Sequence, residues 1–115
     1  MINSGGENIY PEEIENALAA CPDLDEVIVV GTPHDKWGHA VTAFVVAPAG
    51  AEPASTLAKV EAYARDASGL SSMKRPKRIV VVDQIPKSAV GKILRRQLTA
   101  GDFSTLAETA EVPPR

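Results

Sequence analysis

Three apolar runs, Val27–Val30, Val41–Ala47 and Ile79–Val82, constrain this chain more than any other feature of it. Each is rich in β-branched residues and too short for a buried helix, so each reads as a strand. The runs are close to unbroken and do not alternate strictly with polar residues. A strand written that way is covered on both faces. Whatever this chain folds into must therefore place layers on either side of a small sheet.

The segments between the runs supply those layers. Pro11 sits where a first helical turn tolerates it, and Glu12 and Glu13 follow at the positive end of the helix dipole. Ile14, Ala17, Leu18 and Cys21 fall on one apolar stripe before Pro22 ends the helix. A second amphipathic helix begins at about Thr56, with Leu57, Val60, Ala64 and Ala67 on one side and Gly69 past its end. A third, from about Lys92, carries Leu94 and Leu98 four apart. Met1 to Ile9, the stretch holding Gly31, Pro33 and Gly38, the stretch from Pro48 to Pro53, Ser71 to Arg78, and Pro86 to Gly91 read as loops. The expected fold class is α+β: a small three-stranded sheet flanked by about three helices. Residues 1–100 form the domain, and 101–115, with Pro113 and Pro114, form a tail with little to bury and partial disorder.

Composition narrows the function classes. With 115 residues, 44% hydrophobic and 23% charged, the chain is one globular domain rather than a fibre or a disordered segment. No apolar stretch approaches the roughly 20 residues of a membrane span, and the first residues lack the pattern of a secretion signal. Cys21 has no partner for an internal disulfide and reads as a small buried hydrophobe near a helix end, which suits a reducing cytoplasm. With two histidines and one cysteine, no metal site is expected.

The net charge of −3 speaks against general affinity for nucleic acid or membranes, yet the charge is sorted along the chain. Seven acids (Glu7, Glu12, Glu13, Glu15, Asp23, Asp25, Glu26) stand between residues 7 and 26 without a base. Eight bases (Lys74, Arg75, Lys77, Arg78, Lys87, Lys92, Arg95, Arg96) stand between 74 and 96 against one acid, Asp83. Two readings follow: solvated faces that offset each other, or a basic portion that meets phosphates.

Three segments carry motif-like chemistry. Ser4-Gly5-Gly6-Glu7-Asn8-Ile9-Tyr10-Pro11 precedes the first helix, and its paired glycines permit close backbone approach to a ligand or another domain. Pro86-Lys87-Ser88-Ala89-Val90-Gly91-Lys92-Ile93 invites comparison with a phosphate loop, but Pro86 stands where a glycine is needed and Ile93 where Ser or Thr is needed. A lysine delivered by a glycine-containing loop still neutralises charge on a phosphoryl or carboxylate oxygen. The basic run Ser72-Met73-Lys74-Arg75-Pro76-Lys77-Arg78 leads straight into a strand with few aromatic partners, which argues against nucleic acid.

Taken in order, and with the middle block Gly31-Thr32-Pro33-His34-Asp35-Lys36-Trp37-Gly38-His39-Ala40-Val41, these segments resemble the C-terminal domain of adenylate-forming acyl-CoA synthetases. That superfamily also includes luciferase and the adenylation domains of peptide synthetases. The resemblance runs from residue 1 to about 100, and the Gly-Gly-Glu-Asn-Ile-Tyr-Pro form is similar to the acyl- and aryl-CoA ligase branch.

The resemblance implies a mobile lid. Lys92 matches the lysine brought to the carboxylate and α-phosphate during adenylation, a role of electrostatic stabilisation. The domain then rotates, and the loop of Gly5, Gly6, Glu7 and Asn8 lines the pantetheine tunnel of the thioester-forming site. Trp37, Met73 and Arg75 match positions that in some aryl-CoA ligases hold the CoA nucleotide; Trp37 also reads as simple loop packing. Met73 stands where an aromatic residue is common, and His39 where an acid or Gln is common. ATP and coenzyme A are implied as substrates of the parent enzyme, with Mg2+ accompanying ATP and not held by this domain. The implied partner is a larger N-terminal domain that binds ATP and the acid. The chain begins almost where the interdomain hinge would end, so it reads as the C-terminal piece of an ATP-dependent acid–CoA ligase, inactive alone. A stand-alone, non-catalytic docking or regulatory module is the alternative.

Overall fold

The computed structural model describes residues 2–4, 6–34, 38–71, 74–91, 93, 95–99, 101 and 105–108, with backbone alone for 3, 4, 7, 34 and 108. In chain order the elements are β1 (Ile2–Ser4), β2 (Glu7–Ile9), α1 (Pro11–Ala19), β3 (Glu26–His34), β4 (Gly38–Val46), α2 (Pro53–Asp66), β5 (Arg78–Val82), α3 (Arg95–Thr99) and β6 (Thr105–Glu108). The α+β class and the three helices are as the sequence leads one to expect. The sheet is larger: six described strands, with the three apolar runs at β3, β4 and β5.

β4 is the organising strand. β3 pairs with it antiparallel along its whole length, from Glu26↔Val46 to His34↔Gly38. On its other edge β5 runs parallel, from Thr42↔Arg78 to Val46↔Val82, and β1 meets the opposite end at Ser4↔Gly38. β6 pairs antiparallel with β5.

The unbroken runs do bury both faces, as their pattern requires. Odd-numbered residues of the long strands (Val29, Val41, Ala43, Val45, Ile79, Val81) join Ile14 and Leu18 of α1 and Val60 and Ala64 of α2 in one core cluster. Even-numbered residues (Ile28, Val30, Phe44, Val80, Val82) pack with Ile85 and Leu98 of α3 in a second. Thr32 and Thr42 are buried and satisfy each other through hydroxyls 2.7 Å apart.

Several expectations need correction. The segment Met1 to Ile9 is mostly a β-hairpin: Ser4 pairs with Glu7, and Gly6 (φ +87°) takes the positive φ that a tight turn demands. The stretch from Gly31 to Gly38 is mostly strand, because the β3–β4 ladder continues to His34↔Gly38. Pro33 fits there because, among the described residues, β3 pairs with β4 alone: the backbone of Val29 faces the open edge, and two steps of alternation aim Pro33's missing N–H the same way. The second helix starts earlier, with Pro53 in its first turn, and ends at Asp66, leaving Ala67 beyond it and exposed. The third begins at Arg95, since Ile93 is bridged instead to Lys87; Leu94 lies outside the described residues. Within the expected tail, Thr105–Glu108 form strand β6. Cys21 is buried just past α1, as anticipated.

Candidate functional site

Among the described residues, the Gly6 hairpin lies at one end of the β3–β4 ladder and Lys87, at the foot of the Gly91 loop, at the other. The hairpin turn with Gly6, and Asn8 beside it, sits by the Ser4↔Gly38 pair. The basic segment enters the sheet midway along β4, where Lys77 N–H donates to Val41 O at 2.8 Å and Arg78 pairs with Thr42. Arg75 is half-buried there, its Nε donating to Leu70 O at 3.2 Å and its backbone N–H to Ser71 O at 3.0 Å. The first bond engages the guanidinium itself and the second anchors its backbone. Gly6 and Asn8 are exposed, and a Cβ built on Gly6 would meet nothing within 4 Å.

The loop that contains Gly91 leaves from the other end. β5 finishes at Val82↔Val46, and the chain continues to Lys87, which bridges to Ile93. Gly91 N–H donates to Ser88 O at 2.9 Å, and Gly91 (φ +85°) closes the turn. Val90 at its tip is 90% exposed. Lys87 Nζ donates to Glu26 Oε1 at 2.6 Å, tying the foot of this loop to the start of β3. Of the expected site residues, Gly5, Trp37, Met73 and Lys92 lie outside the described residues, and of Glu7 only the backbone is described.

The acidic and basic portions of the chain turn out to face each other. Lys74 pairs with Glu13 at 2.9 Å, Lys87 with Glu26 at 2.6 Å and Arg95 with Glu15 at 2.7 Å. Sequence reasoning missed these partnerships because each joins residues 61 or 80 positions apart. Glu15 offered a faint signal, being the residue beside Ile14 on the apolar stripe.

Residues 13–92 match the family described as AMP-binding enzyme C-terminal domain. The chain belongs to this family. It is 46% identical over 113 residues to the 4-chlorobenzoate–CoA ligase of a Pseudomonas species, an alignment covering 98% of this chain and 21% of that protein. It is 43% identical over 98 residues to a 2-succinylbenzoate–CoA ligase of Listeria monocytogenes, covering 85% of this chain and 20% of the relative. Among solved structures, a Mycobacterium tuberculosis fatty acyl CoA synthetase superposes with a TM-score of 0.71 at 35% identity, over 88% of this chain and 19% of that one. The chain thus spans about a fifth of the length of the curated relatives it matches.

For an AMP-binding enzyme C-terminal domain, the match encloses Trp37, Met73, Arg75 and Lys92 and begins after the Gly5-Gly6 hairpin. Among the described residues, no helix of the domain is long and apolar enough to cross a membrane.

Proposed function

We propose that this AMP-binding enzyme C-terminal domain is the mobile lid of an ATP-dependent ligase joining a fatty or aromatic acid to coenzyme A. The observation that carries the reading is the separation of the two candidate sets. The Gly6 hairpin lies at the Gly38 end of the ladder, and Lys87, at the foot of the loop that leads to Lys92, lies at the Glu26 end. Eight residue steps along β3 make that separation about 27 Å. A rigid body cannot bring both ends to one reacting centre together, but it can present them in turn.

In the first half-reaction the acid's carboxylate oxygen attacks the α-phosphorus of ATP and pyrophosphate leaves. Negative charge gathers on the phosphoryl oxygens, and Lys92 neutralises it. In the second, the sulfur of coenzyme A, losing its proton, attacks the acyl carbon and AMP leaves. The hairpin of Gly5, Gly6, Glu7 and Asn8 lines the approach of the thiol, while Trp37, Met73 and Arg75 hold the nucleotide end. ATP, Mg2+ and the acid are bound by a larger N-terminal partner domain, so the domain alone performs neither half-reaction. The names of its relatives, a 4-chlorobenzoate–CoA ligase and a fatty acyl CoA synthetase, support this substrate class.

The test uses the domain joined to its ATP-binding partner. Lys92→Ala is expected to slow ATP–pyrophosphate exchange by a factor on the order of 100–1000 while leaving thioester formation from supplied acyl-adenylate intact. An unaffected exchange rate would remove Lys92 from the chemistry and favour a docking or regulatory module instead.

A further inference from the structure

The Glu15–Arg95 pair does more than offset charge. Glu15 lies on α1, which covers the first face of the sheet, and Arg95 opens α3, which covers the second. Between them runs the open edge of β3. Val29 N–H donates to Glu15 Oε2 at 2.9 Å, and Val29 O accepts from Arg95 Nη1 at 3.0 Å. Arg95 Nη1 also donates to Glu15 Oε2 at 2.7 Å, and Nη2 reaches Oε1 at 3.4 Å. One edge peptide and two side chains from different helices close on each other. The Glu15 side chain is 16% exposed and Arg95 is 43% exposed. A shielded carboxylate accepting three charge-assisted or backbone bonds is a firmer fixture than the ion pairs on open surface.

The position of this clamp in the chain gives it a use. Lys92 precedes Arg95 by three residues, so its Cα lies within about 11 Å of Arg95's, whatever path the chain takes. At the near end of the loop, the Lys87–Ile93 bridge and the Lys87–Glu26 pair bind the other foot to β3. The loop is therefore tied to β3 on both sides, by the Lys87–Glu26 ion pair at one foot and by the Arg95 bond to Val29 O at the other.

We infer that Glu15 and Arg95 are positioning residues for adenylation: their clamp on the Val29 peptide sets where the Lys92 loop stands relative to the body of the domain. This rests on the role proposed above for Lys92. The clamp also seals a strand edge, but that service alone would not distinguish one half-reaction from the other.

The experiment compares Arg95→Ala, Arg95→Lys and Glu15→Gln in the enzyme that carries this domain, with Lys92→Ala alongside. Both half-reactions are measured, adenylation by pyrophosphate exchange and thioester formation from supplied acyl-adenylate. Arg95→Ala is expected to lower the kcat of adenylation about tenfold or more, since small misplacements of a reacting group cost that much. The KM for ATP and the thioester step should stay within about twofold, because both depend on groups elsewhere. Arg95→Lys keeps the charge without the forked geometry and should recover part of the loss; Glu15→Gln should lie between. Parallel loss of both half-reactions, or no loss in either, overturns the inference. Should Arg95→Ala fail to fold, the two milder variants decide by the same split. If Lys92→Ala leaves adenylation intact, the lysine's role has failed. If Lys92→Ala abolishes adenylation while the clamp variants keep full rate, only the positioning inference falls.

Discussion

The two faces of the sheet are built from the same strands but closed by very different means. The first face is roofed by α1 and α2, helices of 9 and 14 residues, with the β1–β2 hairpin adding Ile2 and Ile9. Among the described residues the second gathers half as many buried ones, 7 against 14, and its helical cover is α3, 5 residues long. Phe44, the largest of the fully buried side chains, sits in this thinner cluster. Two long helices close the first face through burial spread over many residues, so no one of them decides whether it stays closed. The second depends on Phe44 at its centre and on Leu98, carried in by the segment that follows the Lys92 loop. The Glu15–Arg95 clamp joins the two covers around the edge of β3. By the inference drawn above, the stability of the second face and the placement of the candidate lysine are coupled.

The sharpest way to break this comparison is Phe44→Ala. Removing a fully buried ring from a cluster with few neighbours to collapse inward should cost about 4 kcal/mol, read as a lowered midpoint in urea at unchanged slope. Equal loss from Leu18→Ala, under the two-helix roof, would mean that the faces are equally dependent on single residues.

Leu98→Ala should cost less, about 2–3 kcal/mol, and should act locally. Hydrogen exchange is expected to quicken between residues 85 and 99 while α1 and α2 keep their protection. If α2 opens to the same extent, the two faces are one cooperative unit and the proposed coupling through the second face dissolves.

The smallest effect belongs to Lys74→Ala. Its pair with Glu13 joins side chains 41% and 48% exposed, so a loss of about 0.5 kcal/mol, shrinking as salt is raised, is expected from thermal melting. A loss that matched Leu98→Ala would make the surface pairs, rather than the covers, the feature that closes the domain.

Much of this fold was legible in local pattern. The runs at 27–30, 41–47 and 79–82 announced strands buried on both faces because Thr42 is the single polar residue among them. Pro11, Glu12 and Glu13 announced the start of α1, and Gly69, at φ +78°, announced the turn after α2. The hairpin at Ser4–Glu7 was less visible, since paired glycines serve a loop as readily as a turn. The reach of β3 to His34 was hidden by Pro33, which looks like a breaker unless one knows that β3 lies at an edge. The motifs stood out by composition and read as loops, but the places of the Gly6 hairpin and of Lys87 at opposite ends of the ladder did not.

What the sequence by itself determined is the set of elements and the family, because both are written in short-range pattern: runs of β-branched residues, helical stripes, and motifs in order. What only the tertiary structure decided is which distant charges meet. Glu15 and Arg95 are 80 positions apart, and their attraction becomes specific only once α1 and α3 lie on opposite faces of one sheet with the Val29 peptide between them. Burial and helix stripes are short-range properties that local sequence can encode, whereas a clamp across a strand edge is a property of topology.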